Sequence, residues 1–146
     1  MTKTIEESLA ENGKHWQTTV GDSMMPMLRD RENIVEIVRA EGDLKKYDLP
    51  LYKRPDGKYV LHRILKVKKD SYITCGDNRY ARETVPKEWI VGVASGYFKG
   101  QKFVSVSSFR YRLYVHLRCD FFYVRAGIIY LKFKIKRLFK KEKRKM

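Results

Sequence analysis

The chain has 146 residues, and its 32 lysines and arginines outnumber its 17 aspartates and glutamates, which gives a net charge of +15. This length fits one compact domain, and a hydrophobic share of 43% with 13% aromatic residues argues against a disordered chain. So large a positive charge predicts a polyanionic partner, either nucleic acid or an anionic membrane surface. Two cysteines are too few for a disulfide framework, and no spacing is typical of a metal site. We therefore expect free thiols at Cys75 and Cys119 and no cofactor.

The charge is concentrated near the C-terminal end of the chain. Residues 1–96 contain 17 cations and 15 anions, a net charge of +2, whereas residues 97–146 contain 15 cations and two anions, a net charge of +13. The N-terminal segment lacks the apolar stretch of a secretory signal peptide, and no window of about 18 residues is apolar and free of charge. These patterns predict a near-neutral body with a basic tail, on the cytoplasmic side and without a conventional transmembrane helix.

Local patterns predict a short helix followed by a mainly β body. Thr4 and Glu7 form a capping box and Gly13 is a C-terminal stop, so a helix is expected between Thr4 and Gly13. Short β-branched or alternating stretches predict strands at residues 34–38, 47–52, 58–67, 71–75 and 89–94. Pro50 predicts an edge position or a bulge for the second of these strands.

The sequence changes character after residue 100. Residues 103–106 are compatible with a last strand, and residues 108–139 mix aromatic and aliphatic side chains with cations in a pattern that favours helix. The final seven residues, KKEKRKM, are expected to be a solvated basic run. The predicted regions are therefore an N-terminal helix at 1–15, a body at 16–98 and a basic amphipathic C-terminal extension at 99–146.

A first segment with the potential for chemistry is centred on Ser23. Gly21 permits a tight turn, and Pro26 constrains the backbone just after it. Such a turn exposes the hydroxyl and directs neighbouring backbone N–H groups at one point, as a nucleophile beside an oxyanion hole requires. A serine in a Gly-Asp turn is more often structural, so the segment alone does not identify an enzyme.

Two further segments contain a histidine and an aspartate. His62 lies in an alternating stretch, where a strand would fix the direction of its side chain, as a general base requires. A buried structural histidine fits the same pattern. Asp77 follows the strand predicted at 71–75 within Gly-Asp-Asn, and stabilisation of a turn is the alternative role for its carboxylate.

Taken together, these segments resemble the S24/S26 serine peptidases, the group of the type I signal peptidases and the self-cleaving LexA-like repressors. The resemblance covers residues 18–94, with boxes at 21–26, 42–52, 59–64, 76–78 and 89–94. It implies a mainly β, signal-peptidase/LexA-like fold of coiled antiparallel sheets. In this chain that fold would have a short N-terminal helix and a basic, helical C-terminal extension.

The resemblance also implies roles for individual residues. Ser23 would attack the scissile carbonyl, and His62 would be the general base, as in the endoplasmic-reticulum-like branch, where histidine replaces the more usual lysine. Asp77 would orient the imidazole and stabilise its charged form, with Glu83 as a reserve acid. Gly21 replaces a hydroxyl residue found in many signal peptidases, so the oxyanion hole would depend on backbone N–H groups.

The implied activity is that of a serine endopeptidase that cleaves a peptide precursor or leader at a membrane surface. The substrate would lie extended beside an exposed strand, and Met24, Met25 and Met27 would either line that surface or fill the core. The alternative is a non-catalytic peptide- or membrane-binding module on the same fold. A self-cleaving DNA-linked regulator would need an Ala-Gly or Cys-Gly pair before Ser23, and the sequence has neither there.

Three interpretations remain for the basic extension. It could lie on the anionic inner face of the cell membrane, bind nucleic acid through phosphates, or pack on the body as a helical cap. Nucleic acid is the least favoured partner, because no helix-turn-helix segment precedes the body.

Overall fold

The structure, a computed structural model, describes the backbone of residues 2–145 and the side chains of residues 2–143. Met1 and Met146, the outer limits of the first and last predicted regions, lie outside the described residues, as does part of the predicted basic run.

A capped helix opens the chain. Helix α1 spans Ile5–Asn12, with the Thr4 and Glu7 capping box formed and Gly13 ending the helix in the left-handed conformation at φ 72°. This confirms the helix predicted from its capping residues. The first strand already begins at Lys14, so the predicted boundary at residue 15 falls inside a strand.

Within the described residues nine strands follow, and all their pairings are antiparallel. In chain order they are β1 Lys14–Thr18, β2 Asn33–Val38, β3 Pro50–Lys53, β4 Tyr59–Leu61, β5 Arg63–Val67, β6 Ser71–Cys75, β7 Glu83–Pro86, β8 Ile90–Lys99 and β9 Lys102–Ser105. The larger sheet has the order β1-β2-β8-β3-β4, with β9 also paired to β8, and it curls into a half-barrel. The smaller sheet has the order β5-β6-β7. The mainly antiparallel β class predicted from the sequence is confirmed.

The prediction of one strand at 58–67 is wrong. The segment forms β4 in the larger sheet and β5 in the smaller one, and His62 lies between them, where the chain passes from one sheet to the other. Strand β7 was not predicted, because its four residues show no clear alternation.

Strand β3 clarifies the prediction made for Pro50. The strand lies between β8 and β4, so it is not at an edge. Pro50 is its first residue, and the pairing with β8 shifts register between Leu51 and Tyr52, which confirms the bulge.

After the strands, residues 106–145 contain two helices, α2 at Phe109–Cys119 and α3 at Phe122–Lys145, so the helical prediction for 108–139 is correct apart from the break between them. Side chains of α2 belong to the main core, which also receives residues from α1 and the larger sheet. The buried members include Leu9, Leu28, Val35, Ile37, Leu51, Tyr111, Val115 and Cys119. Part of the basic extension is therefore packed on the body.

The larger sheet also continues through β9, past the boundary predicted at residue 98. Within the part of the chain that the structure describes, neither α3 nor any other helix has the length and apolarity needed to cross a membrane.

Candidate active site

Ser23 lies in the turn that joins β1 to β2. The carbonyl of Asp22 accepts a hydrogen bond from the N–H of Met25 at 3.1 Å, which closes the turn around Ser23. From the other side, the N–H of Asn78 donates to the Ser23 carbonyl at 2.8 Å, and the Asn78 side-chain amide donates to the Asp22 carbonyl at 3.1 Å. The Gly76-Asp77-Asn78 segment predicted as the acidic box therefore fixes the position of the serine turn.

This turn leaves donors available beside the hydroxyl. Ser23 and Met24 occupy the two central positions of the turn, where backbone N–H groups point away from its internal hydrogen bond. Among the described residues, neither of these N–H groups nor the half-buried Ser23 hydroxyl has a hydrogen-bond partner. Two free N–H groups next to a free hydroxyl are what an oxyanion hole beside a nucleophile requires.

Gly76 is the point where the serine turn and the histidine meet. A Cβ atom added to Gly76 would lie 2.6 Å from the carbonyl oxygen of Ser23 and 3.2 Å from Nε2 of His62. Glycine thus permits an approach that any side chain would block, and the structure brings the backbone of Ser23 and the imidazole of His62 to the same place. Among the described residues the Ser23 hydroxyl and Nε2 form no hydrogen bond, so their pairing as nucleophile and base stays a prediction.

The hydroxyl of a buried tyrosine lies beside Nδ1 of His62. Its Nδ1 lies 3.3 Å from the hydroxyl of Tyr52, which is fully buried and donates its proton to Oε2 of Glu83 at 2.7 Å. Since a carboxylate only accepts, the phenol oxygen must accept from Nδ1–H. The hydrogen bonds therefore assign the proton of the imidazole to Nδ1 and leave the lone pair of Nε2 free on the side of Gly76 and Ser23.

The electrostatic environment keeps this imidazole neutral. Burial lowers the pKa of His62 to about 4, and the negative charge of Glu83 only partly offsets that effect. Arg54 binds Glu83 with two hydrogen bonds, of 2.9 and 2.7 Å, and holds the pKa of that carboxyl below its usual value. At neutral pH the site therefore combines a neutral histidine, free to accept a proton, with an ionised carboxylate beyond the tyrosine.

Among the described residues Asp77 forms no hydrogen bond with His62, so the structure does not contain the orienting bond that the sequence predicts. Its carboxylate is buried and binds Arg63 through two hydrogen bonds, Nε to Oδ1 at 2.8 Å and Nη2 to Oδ2 at 2.9 Å. The hydroxyl of Tyr114 donates to the same Oδ2 at 3.0 Å. The carboxylate is turned towards the core and α2, away from the imidazole, because its partners lie there.

The buried pair joins the body to the C-terminal helices. Arg63 also donates to the hydroxyl of Tyr111 at 2.9 Å and to the backbone carbonyl of Tyr47 at 3.2 Å. Burial disfavours the charged guanidinium, but the Asp77 carboxylate outweighs that effect and holds the pKa of Arg63 well above its usual value. From α3, Arg125 donates to the backbone carbonyl of Asp77. This network is structural scaffolding for the serine turn.

A groove leads up to Ser23 and His62. Its volume is about 660 Å³, and both residues line it. Residues of β1 and β4, the first and last strands along the path of the larger sheet, line the groove as well. The apolar side chains that line the groove include Met24, Leu28, Val35, Ile37, Leu51 and Leu61. Of the methionines, Met24 lines the groove and is also part of the core, whereas Met27 is buried in the core.

The sequence did not single out Tyr52, Arg54, Arg63 or Tyr114. Only Arg63 had a local signal, since a charged residue inside an apolar stretch needs a buried partner. Glu83, held in reserve as the acid, is the carboxylate that reaches the histidine through Tyr52.

The described side chains include no group of three or more histidines, cysteines, aspartates or glutamates placed to hold a metal ion, and both cysteines are free and buried. No family model, curated protein or solved structure matches the chain. The geometry of the groove, the serine turn and the histidine therefore has to support the functional conclusion alone.

Proposed function

We propose that the protein is a serine endopeptidase of the signal-peptidase type, with Ser23 as nucleophile and His62 as general base. One observation carries the proposal. The turn of Ser23, whose hydroxyl has no hydrogen-bond partner among the described residues, meets Nε2 of the neutral His62 at Gly76, beside a groove in the body. The curled sheet and the order of the five boxes support the signal-peptidase/LexA-like fold and the S24/S26 resemblance as parts of the same proposal.

In the proposed reaction, Nε2 of His62 takes the proton of Ser23 as the hydroxyl oxygen attacks the scissile carbonyl carbon. The backbone N–H groups of Ser23 and Met24 stabilise the oxyanion. The imidazolium then gives its proton to the leaving amine, and the same histidine activates the water that hydrolyses the acyl-enzyme. No cofactor enters this scheme.

The other polar residues act by positioning. The hydroxyl of Tyr52 accepts a hydrogen bond from Nδ1–H and donates one to Glu83. This chain of hydrogen bonds links the imidazolium, as it forms, to the negative charge of Glu83. Asp77, predicted as the third catalytic residue, acts at a distance in this proposal: its ion pair with Arg63 holds the segment whose Asn78 anchors the Ser23 carbonyl.

The proposed substrate is a peptide precursor or leader in extended conformation. An extended peptide gains main-chain hydrogen bonds by pairing with an exposed sheet edge. Both β1 and β4 border the groove, so a peptide lying there could pair with either strand and present its carbonyl to Ser23. The proposed place of action is the cytoplasmic side, peripheral on the inner face of the cell membrane, with nucleic acid not among the partners.

The test uses a peptide library and mass spectrometry with the full chain, Ser23→Ala and His62→Ala. Removal of either residue should lower cleavage at least about 1,000-fold, as for other serine–histidine pairs. Ser107→Ala, which removes an exposed hydroxyl, is the matched control and should cleave like the wild type. Equal cleavage by Ser23→Ala would refute the mechanism.

The same experiment separates the alternative function. A non-catalytic peptide-binding module predicts no cleavage by any variant, together with saturable binding of extended peptides by all of them.

A further inference from the structure

One apolar face of the C-terminal helices is uncovered. Leu117, Phe121, Val124, Ile128, Leu131, Ile135 and Leu138 follow one another at alternating intervals of four and three residues, the spacing of one helical face. Each of them is between 50% and 63% exposed. We call these seven residues the apolar stripe. The stripe begins at the end of α2 and runs along most of α3.

The body does not use this face. Helix α3 packs on the body through Phe122, Arg125 and Ile129, each only 8% exposed, and Phe133 contacts Tyr80 with ring centroids 6.2 Å apart. These residues lie outside the stripe in the helical repeat. The stripe therefore stays exposed although α3 packs on the body through another face.

Cations flank the stripe, and their charge indicates what can cover it. Lys132 and Lys136 lie along one side, whereas Lys134 and Lys141 lie along the other. Glu142 is the single acid among the described side chains of α3. A second copy of the helix laid along the stripe would bring these like charges together, which disfavours self-pairing. An anionic surface matches both the apolar face and its cationic flanks.

We infer that the apolar stripe binds the surface of an anionic lipid bilayer. A helix with an apolar face and flanking lysines lies in the plane of the interface, its apolar side chains among the acyl chains and its cations at the headgroups. Helix α3 has 24 residues, about 36 Å of helix, and is too charged to cross the membrane. It would therefore lie along the bilayer and not through it.

The inference also concerns the substrate, and for that part it rests on the proposed function. The groove beside the stripe, lined by Phe121, Val124 and Lys136, is also lined by Asp22 and Asn78, which form and hold the serine turn. A chain docked through the stripe would keep Ser23 close to the bilayer. The preferred substrates would then be membrane-attached peptides whose cleavage site lies just outside the headgroups.

The test is flotation of the full chain with vesicles of phosphatidylcholine alone or with about one-third phosphatidylserine. The wild type should float with the anionic vesicles and far less with the neutral ones. Leu131→Glu should weaken binding at least about tenfold. Its matched control is Val67→Glu, which places the same charge at an exposed apolar position on β5 and should bind like the wild type.

A second pair of variants tests the cations. Lys132→Gln combined with Lys136→Gln should bind more weakly and with less sensitivity to salt, whereas Lys99→Gln combined with Lys102→Gln in the β8–β9 hairpin should not. These are substitutions of exposed side chains, and circular dichroism checks that each variant is folded. A truncation at residue 98 is unsuitable, because α2 supplies part of the core.

The outcomes are separable from those of the peptidase test. Ser23→Ala should float like the wild type, so docking can succeed where the proposed activity fails. No flotation, equal flotation with both kinds of vesicle, or wild-type flotation of Leu131→Glu would each overturn the inference. A dimer in solution that Leu131→Glu dissociates would overturn the inference and indicate a second copy as the partner. Selective binding to an acidic helix, without flotation, would overturn it and indicate a protein partner.

Discussion

Two arginine–carboxylate pairs lie near the proposed site, and they differ in burial. The side chains of Arg63 and Asp77 are 0% and 2% exposed, whereas those of Arg54 and Glu83 are 36% and 27% exposed. In each pair the carboxylate also accepts from a tyrosine hydroxyl, and only Tyr52 of the second pair reaches His62.

The difference in burial gives the two pairs different roles: the buried pair holds the structure in place, and the partly exposed pair shifts the pKa of a neighbouring group. A buried ion pair costs desolvation and cannot lose one partner without leaving the other charge unpaired, so it fixes the structure around it. A half-exposed pair contributes little to stability, but its charge acts on a neighbouring titratable group. Asp77 lies in the motif where the acid is expected, but Glu83 is the carboxylate that is linked to the proposed base, His62.

The largest effect should come from the buried pair. Asp77→Ala leaves the Arg63 guanidinium without its counterion, and we expect a loss of about 3–5 kcal/mol in the free energy of unfolding. Urea denaturation followed by circular dichroism measures it. Glu41→Ala, which removes an exposed carboxylate with no hydrogen bond or ion pair among the described residues, is the control and should change stability by less than about 0.5 kcal/mol. If the two variants unfold at the same urea concentration, the buried pair is not the scaffold that we describe.

Tyr52→Phe should have the next largest effect, on activity. It removes the acceptor of Nδ1–H, so the imidazole loses both its fixed tautomer and the link to Glu83. We expect kcat/KM to fall about 100-fold on a peptide identified in the library. Tyr97→Phe, on β8 and outside the lining of the groove, is the matched control, since its hydroxyl has no hydrogen bond among the described residues. Equal kinetics for the two variants would remove Tyr52 from the mechanism.

Glu83→Gln should have a smaller effect, because Tyr52 still holds the imidazole. We expect about a tenfold loss in kcat/KM and at most about 1 kcal/mol in stability, since the pair with Arg54 is partly solvated. Glu88→Gln removes an exposed carboxylate from the short 3-10 helix Lys87–Trp89, just before β8, and should leave both quantities unchanged. A large loss of stability with unchanged kinetics would make Glu83 structural.

The smallest effect is a shift in the pH profile. Since burial lowers the pKa of His62 to about 4, cleavage should fall only as the pH drops towards 4. The charge of Glu83 raises that pKa, so Glu83→Gln should move the acid limb of kcat/KM to lower pH, and Glu88→Gln should not. An acid limb at the ordinary histidine value would contradict the buried, neutral base.

The same histidine affects stability. It has an ordinary pKa in the unfolded chain, so lowering the pH from about 6.5 to about 4 protonates the unfolded state first and weakens the fold.

The sequence predicted those elements that depend on residues close together in the chain. The capping box at Thr4, the stop at Gly13 and the strand at 71–75 all have the expected form. The break at His62 could not be predicted, because alternation continues across it while the chain changes sheet. A change of sheet depends on pairing with residues distant in the sequence.

The site follows the same rule. The meeting of Ser23 and His62 was predicted from a family pattern, whereas the partner of each carboxylate was not. Asp77 pairs with Arg63, 14 residues before it, and Glu83 reaches Tyr52, 31 residues before it. Nothing in the local sequence distinguishes these partners. Arg63 and Asp77 meet through the antiparallel pairing of β5 with β6, whereas Tyr52 and Glu83 meet only because the two sheets pack together.

The open edges of the curled sheet have a consequence for solubility. β1 and β4 are the ends of the path along the larger sheet, and an unpaired edge is a template on which other chains can add strands and aggregate. Both strands are short, and the exposed Lys14 and Gln17 on β1 give that edge polar protection. A peptide bound in the groove would cover these edges, so ligand should raise the protein concentration at which aggregation begins.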